Sequence, residues 1–196
     1  MRGKARTEFV TIEVTAIEGA KCLKTFTYKL PAAIESTEIV EVLNEEGVVS
    51  STVQRVYSNA LKKVFDRTMD YRYFVRFDAT SVEGRPLFTC KKISRRGRVY
   101  FKGKDLVTGK EYMIAYDGWK IMIPDLLITD GEQTIKIAKE MEDWSVFTLD
   151  EQPIARWKAT FHESYFDIEL QIEESSPIQQ EAFFIAIGQA VLFIGA

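Results

Sequence analysis

Residues 181–196 read EAFFIAIGQAVLFIGA, from Glu181 to Ala196. After Glu181, Gln189 is the only strongly polar side chain in this stretch. A helix that is apolar all round must be buried all round, in a core or in a bilayer. The residues before it mark a start. Ser176 suits the N-cap, Pro177 the first helical position and Gln179 the third, which together make a capping box. Glu181 then puts negative charge in the first turn, as the helix dipole prefers. The pattern predicts a helix from about Pro177 to Ala196, ~30 Å long, with a wholly apolar part of ~22 Å. A membrane span wants ~20 consecutive apolar residues with anchoring flanks, and no charge follows this run. A tail anchor is the alternative; a helix threaded through a closed sheet fits better. Strands of about 6–8 residues at ~3.3 Å each match the helix in height. A twelve-stranded barrel is too wide for side chains alone to fill, and a helix ~10 Å across would occupy the space. Gly188, Gly195, Ala182, Ala186 and Ala190 keep such a helix thin.

The remainder of the chain supplies strands. Apolar residues alternate with polar ones at Val10, Ile12, Val14 and Ala16, then at Phe26, Tyr28 and Leu30. The pattern returns at Tyr73, Val75, Phe77 and Ala79, at Tyr112, Ile114 and Tyr116, and at Trp119, Ile121 and Ile123. Phe166, Ile168, Leu170 and Ile172 give the cleanest run. Period-two alternation with β-branched and aromatic residues predicts half-buried strands. Glu45-Glu46-Gly47, Glu83-Gly84-Arg85-Pro86, Asp117-Gly118 and Asp130-Gly131 suit the reversals between them. About a dozen strands at this spacing predict a mainly β fold: a twelve-stranded antiparallel closed barrel around a central C-terminal hydrophobic helix. Tyr57–Arg67 breaks the rhythm. Leu61, Val64 and Phe65 form a helical stripe that Ser58 or Asn59 could cap, so one short surface helix is expected.

Composition sets outer bounds. The 196 residues are 46% hydrophobic and 28% charged, with a net charge of −3. This is ordinary for a globular protein. No composition shift marks a boundary, so residues 1–196 are expected to form one domain with the first few residues as a flexible tail. Overall acidity disfavours nucleic acid as a partner. Cys22 and Cys90 cannot form a disulfide framework, which fits a reducing, cytoplasmic setting. The N-terminus is basic but has no apolar core, so no secretory signal is expected.

The densest local signal is KKISRRGRVYFKGK. Lys91, Lys92, Arg95, Arg96, Arg98, Lys102 and Lys104 are seven cations with no acid among them. Such a cluster is an electrostatic footprint for an anionic surface or ligand. It would equally serve to keep an edge strand from pairing with neighbours. Tyr100 and Phe101 could stack bases, yet they fit a strand as well. His162, the only histidine, neighbours Glu163 and Ser164. Adjacent strand residues point to opposite faces, so these make no catalytic dyad. Asp117, Asp125 and Asp130 fall at strand ends, where turn chemistry accounts for the two before glycine. Cys90 lies beside two lysines that could lower its pKa, but its place in the alternation is inward. Trp119, Trp144 and Trp157 suit a barrel wall. No catalytic constellation, cofactor motif or metal set emerges.

Three stretches together carry a resemblance: GRPLFTCKKISRRGRVYFKG, DWSVFTLDEQPIARWKATF and SYFDIELQIEESSPIQQEAFFIAIGQAVLFIGA. Their pattern and order, over about Tyr73 to Ala196, resemble the tubby C-terminal-like superfamily, which includes the LURP-one-related and phospholipid-scramblase-like β-barrel proteins. The resemblance implies a barrel closed around a hydrophobic helix. It also implies a link to membrane lipids, since tubby domains bind phosphoinositides at a basic surface. The cysteine-rich and proline-rich stretches usual in scramblases are missing from this sequence. With its centre filled, such a barrel must act from its outside. The expected role is a non-enzymatic module that docks on anionic phospholipid headgroups through Lys91–Lys104, peripheral at the inner face of the membrane. An interaction or scaffold domain meeting an acidic protein partner is the alternative. Deleting Pro177–Ala196 separates the threaded barrel from a tail anchor. The threaded barrel predicts loss of the cooperative thermal transition; a soluble, folded remainder would exclude it.

Overall fold

The computed structural model describes residues 23–95, 98–117, 125–138 and 143–193, with backbone only at 95 and 98. Several expectations fall outside these residues: the flexible first residues, the strand over Val10–Ala16, Cys22, Arg96, Gly118, the strand over Trp119–Ile123, and Gly195. Among the described residues twelve strands run β1 Leu23–Pro31, β2 Ile39–Leu43, β3 Val49–Arg55, β4 Arg76–Ser81, β5 Pro86–Arg95 and β6 Arg98–Asp105. They continue as β7 Glu111–Tyr116, β8 Leu126–Thr129, β9 Thr134–Ala138, β10 Ser145–Leu149, β11 Gln152–His162 and β12 Tyr165–Glu173. Each pairs antiparallel with its sequence neighbour, β3 and β4 included although a long connection joins them, and β1 pairs with β12 to close the barrel. The predicted architecture is thus the observed one.

Alternation becomes an inside and an outside. On β12, Ile168, Leu170 and Ile172 are buried, with Asp167, Glu169 and Gln171 between them on the other face. On β5 the buried residues are Phe88 and Cys90. Tight reversals fall at glycine where the backbone requires it: Gly47 and Gly84 adopt positive φ of 73° and 77°. The β10–β11 reversal does the same without glycine, placing Asp150 and Glu151 at φ 48° and 63°. Two consecutive left-handed residues match the twist of a two-residue hairpin.

The hydrophobic C-terminal segment lies inside. It comprises helix α2, Glu181–Ile187, continued by a π-helical segment, Gly188–Phe193. Ala182 through Leu192 are all buried. The helix packs most closely on β4 and β5. Phe183 meets Phe88 and Tyr112 edge to face at ring distances of 5.3 and 5.0 Å, and Phe184 meets Phe147 at 5.1 Å. Gln189 Nε2 and Trp157 Nε1 both donate to the Tyr28 hydroxyl, at 2.8 and 3.2 Å. Burial pushes the Tyr28 hydroxyl pKa up, so the group stays neutral.

The helix starts later than the capping box predicts. Ser176 Oγ accepts the Ile178 N–H at 3.2 Å and donates to the Ile178 carbonyl at 2.8 Å. Gln179 Nε2 donates to the carbonyls of Glu173, Glu174 and Ser176 at 3.0, 3.2 and 2.8 Å. The side chains expected to cap the helix instead fold the turn that carries the chain from the wall to the barrel axis. Gln180, extended, becomes the N-cap without a side-chain bond.

A second helix, α1, Ala60–Arg67, joins β3 to β4. Asn59 caps it by accepting the Lys62 N–H at 2.9 Å. It is held to the barrel by charge. Asp66 and Arg55 form an ion pair at 2.8 Å with both side chains fully buried. Asp66 also accepts from the Tyr57 hydroxyl and from the N–H groups of Tyr73 and Phe74, each at 2.9 Å. Arg55 donates further to the carbonyls of Ile34 and Tyr71. This is why β4 begins at Arg76 and not at Tyr73: the N–H groups at 73 and 74 turn to the carboxylate.

Two substitutions test these supports. Ala at Gly188 would gain ~1 kcal/mol in helix propensity, but its Cβ would stand 2.7 Å from Trp157 Nε1. Overpacking a core costs ~1–3 kcal/mol or more, so Gly188→Ala should lower the melting temperature. Asp66→Ala strands a buried guanidinium and should cost about 3–5 kcal/mol in denaturant unfolding.

Candidate functional site

The cationic residues occupy the β5–β6 hairpin, and strand parity sorts them. Phe88, Cys90 and Phe101 point inward, so Lys91, Lys102 and Lys104 stand on the outer wall. Lys91 lies opposite Lys102 across β5–β6, and opposite Arg76 across β4–β5. A row of three cations, Arg76, Lys91 and Lys102, therefore crosses three strands. Arg76 is a member that the sequence run does not contain. The signal for it was register, which joins a residue on one strand to its partner on the next.

Acids approach this row from both sides. Asp78 takes a two-pronged bond from Arg76, at 2.9 Å from Nε and 2.8 Å from Nη2. Glu111 on β7 reaches Lys102 at 2.6 Å and Lys104 at 3.8 Å. The hydrogen bond from Lys102, then the charges of Lys102, Lys104 and Lys91, lower the Glu111 pKa. The run read as free of acid in the sequence thus gains one from the neighbouring strand. On the wall, four cations face two carboxylates. Surface pairs of this kind are weak, about 0–1 kcal/mol, and easily exchanged for other anions.

Lys92 faces the rim. It is half-buried, its Nζ donates to the Arg72 carbonyl at 3.0 Å, and it lies 5.9 Å from the centre of the Phe101 ring. Burial lowers its pKa. Beyond it the hairpin narrows to the pair at 95 and 98, opposite one another in register. Lys91, Lys92, Lys102 and Lys104 thus share one hairpin, whose strands reach the pair at 95 and 98 on the rim from which the β3–β4 connection leaves. Arg96 is outside the described residues.

The other sequence candidates separate. Cys90 is fully buried, and burial pushes its thiol pKa up, so the neighbouring lysines do not activate it. His162 Nε2 lies 3.0 Å from Asp167 and its ring stacks on Tyr165; no described contact joins it to Ser164. Asp130 accepts the N–H groups of Gln133 and Glu132 at 2.8 and 2.9 Å and pairs with Lys110 at 2.5 Å. These bonds, led by that from Gln133, hold its pKa well below the usual carboxylate range. Asp125 pairs with Lys136 at 2.7 Å. Both act as turn and wall residues, and among the described residues no group of three or more histidine, cysteine or acidic side chains is placed to hold a metal. Trp157 is a core residue, while Trp144 lies beneath the Arg156 guanidinium at 4.6 Å.

No described helix is long and apolar enough to cross a membrane. Residues 26–194 match the family model described as the Tubby C-terminal like domain. No curated protein and no solved structure matches the chain.

The buried thiol gives a direct check. In a Cys22→Ser background, Cys90 should resist a thiol reagent under native conditions and react at the rate of global unfolding. Fast native labelling would contradict the burial.

Proposed function

The chain belongs to the tubby C-terminal-like family, and from that premise we propose that it is a non-enzymatic module that docks reversibly on anionic phospholipid headgroups. The docking element is the β5–β6 hairpin, with Lys91, Lys92, Arg95, Arg96, Arg98, Lys102 and Lys104 supplying the cations and Arg76 joining them. The observation that carries this reading is the row of Arg76, Lys91 and Lys102 across three adjacent strands. Neighbouring strands lie ~4.8 Å apart, a spacing at which one phosphate can bridge two cations. The interior is taken up by α2, which moves ligand recognition to the wall and rim. Each cation near an anionic surface contributes ~1 kcal/mol, so several acting together give measurable, reversible and salt-sensitive attachment. Glu111 acts as a stand-in anion that headgroups would displace from Lys102 and Lys104. Attachment of this kind would keep the protein peripheral, at a cytoplasmic membrane face where anionic lipids concentrate.

Flotation with vesicles of phosphatidylcholine alone, and with about one-third phosphatidylserine, tests this. Recovery should require the anionic lipid, fall at ~1 M salt where the screening length is ~3 Å, and drop with Lys91→Glu/Lys102→Glu. Glu111→Gln should raise recovery. Equal recovery with neutral and anionic vesicles at low salt would end the proposal. If only a soluble acidic protein retained the charge-dependent contact, a protein-interaction role would replace it.

A further inference from the structure

The stripe that makes α1 amphipathic does not face the barrel. Leu61, Val64 and Phe65 are 67%, 66% and 62% exposed. Met69, in the turn after the helix, is exposed as well. A surface helix normally turns such a face to the core. Here the inward position is taken by Asp66, whose buried pair with Arg55 fixes which way the helix is rolled. The stripe is therefore held outward by a buried polar support.

Its surroundings identify what would cover it. Lys62, Lys63 and Arg67 lie on the helix, and its one acid, Asp66, is turned inward. The β3–β4 connection carrying α1 and the final residues of β5 lie at the same rim of the barrel, because Arg76 and Lys91 are in register and β5 continues past them. Lys92 ties the two together: its N–H donates to the Val75 carbonyl at 2.8 Å and its Nζ to the Arg72 carbonyl at 3.0 Å. Lys62 in turn stands over the Phe74 ring, 5.4 Å from its centre. Apolar side chains flanked by cations, beside a second cationic element, match the layered chemistry of an anionic bilayer: phosphates outside, acyl chains beneath. A second copy of this chain fits less well, since a two-fold contact through the stripe would bring the flanking cations of both copies together.

We propose that α1 is the apolar anchor of the docking face, with Leu61, Val64 and Phe65 entering the interface of the same anionic bilayer that the basic hairpin engages. This rests on the lipid reading of the hairpin and adds a second, chemically different contact to it. An eight-residue helix spans ~12 Å, so it lies in the interface and does not cross. Charge brings the rim to the surface, and the apolar residues lengthen its stay there.

The test uses the full chain and binding isotherms on phosphatidylcholine vesicles with about one-third phosphatidylserine. Leu61→Ser/Phe65→Ser changes exposed residues and should leave the melting temperature unchanged. It should weaken binding by on the order of ten-fold or more and abolish the fraction that survives high salt. Phe65→Trp should gain quenching by brominated acyl chains over the wild type. If Leu61→Ser/Phe65→Ser binds as tightly as wild type at both salts, the anchor is overturned while the headgroup reading stands. If the wild type binds no anionic vesicle, both fall. If the double substitution leaves vesicle binding intact but dissolves a dimer seen in sedimentation, a second copy covers the stripe and the anchor is overturned.

Discussion

The interior of a twelve-stranded barrel cannot be filled by side chains that project from its wall, and the rest of this structure answers that constraint. A void of that width would forfeit dispersion contacts along every strand and would be too apolar to hold water stably. The chain supplies its own filling: α2 and the π-helical segment after it, buried from Ala182 to Leu192. Aromatic side chains of the wall meet those of the helix edge to face, while Gly188 lets Trp157 come within contact. Barrel and helix each supply what the other lacks. The helix is too apolar for water, and the barrel is empty without it.

Polar groups at the core then become points of specification. Tyr28, on β1, collects donors from Trp157 on β11 and Gln189 on the central segment. A single hydroxyl thereby registers two strands and the helix against one another. At the rim, the Arg55–Asp66 pair does similar work for the β3–β4 connection. A buried ion pair adds little net stability over an apolar equivalent, but losing one partner is costly. Its value here is orientational: it decides which face of α1 meets water.

Filling the centre also assigns roles to the outside. With α2 along its axis, the barrel carries the charged side chains of β4 to β7 on its wall and toward its rims. On the wall, Glu111 and Asp78 temper the cations; toward the rim β5 continues past β4, at the end of the barrel from which the connection carrying α1 leaves. The hairpin is cationic, α1 shows apolar side chains among its cations, and Lys92 bonds the hairpin to the connection that carries α1. The family to which residues 26–194 belong is therefore represented here by a barrel whose least ordinary features gather at one end.

The sequence alone determined the mainly β class, the antiparallel order, the buried C-terminal helix and the short helix near residue 60. Each of these follows from a local rule: period two, turn residues, uniform apolarity, a capping asparagine. Lys91, Lys92, Lys102 and Lys104 were legible for the same reason, being contiguous. Tertiary structure decided what contiguity cannot encode. Register brought Arg76 into the cationic row and Glu111 between Lys102 and Lys104. The need to turn from wall to axis took Ser176 and Gln179 away from capping and delayed the helix to Glu181. An aspartate inside an amphipathic helix reads as a solvated residue until its arginine is known. Only the pairing with Arg55, eleven positions earlier in the chain, revealed that Asp66 faces inward and the apolar stripe outward. Desolvation and long-range charge pairing, which depend on three-dimensional neighbours, set that orientation against the helical pattern.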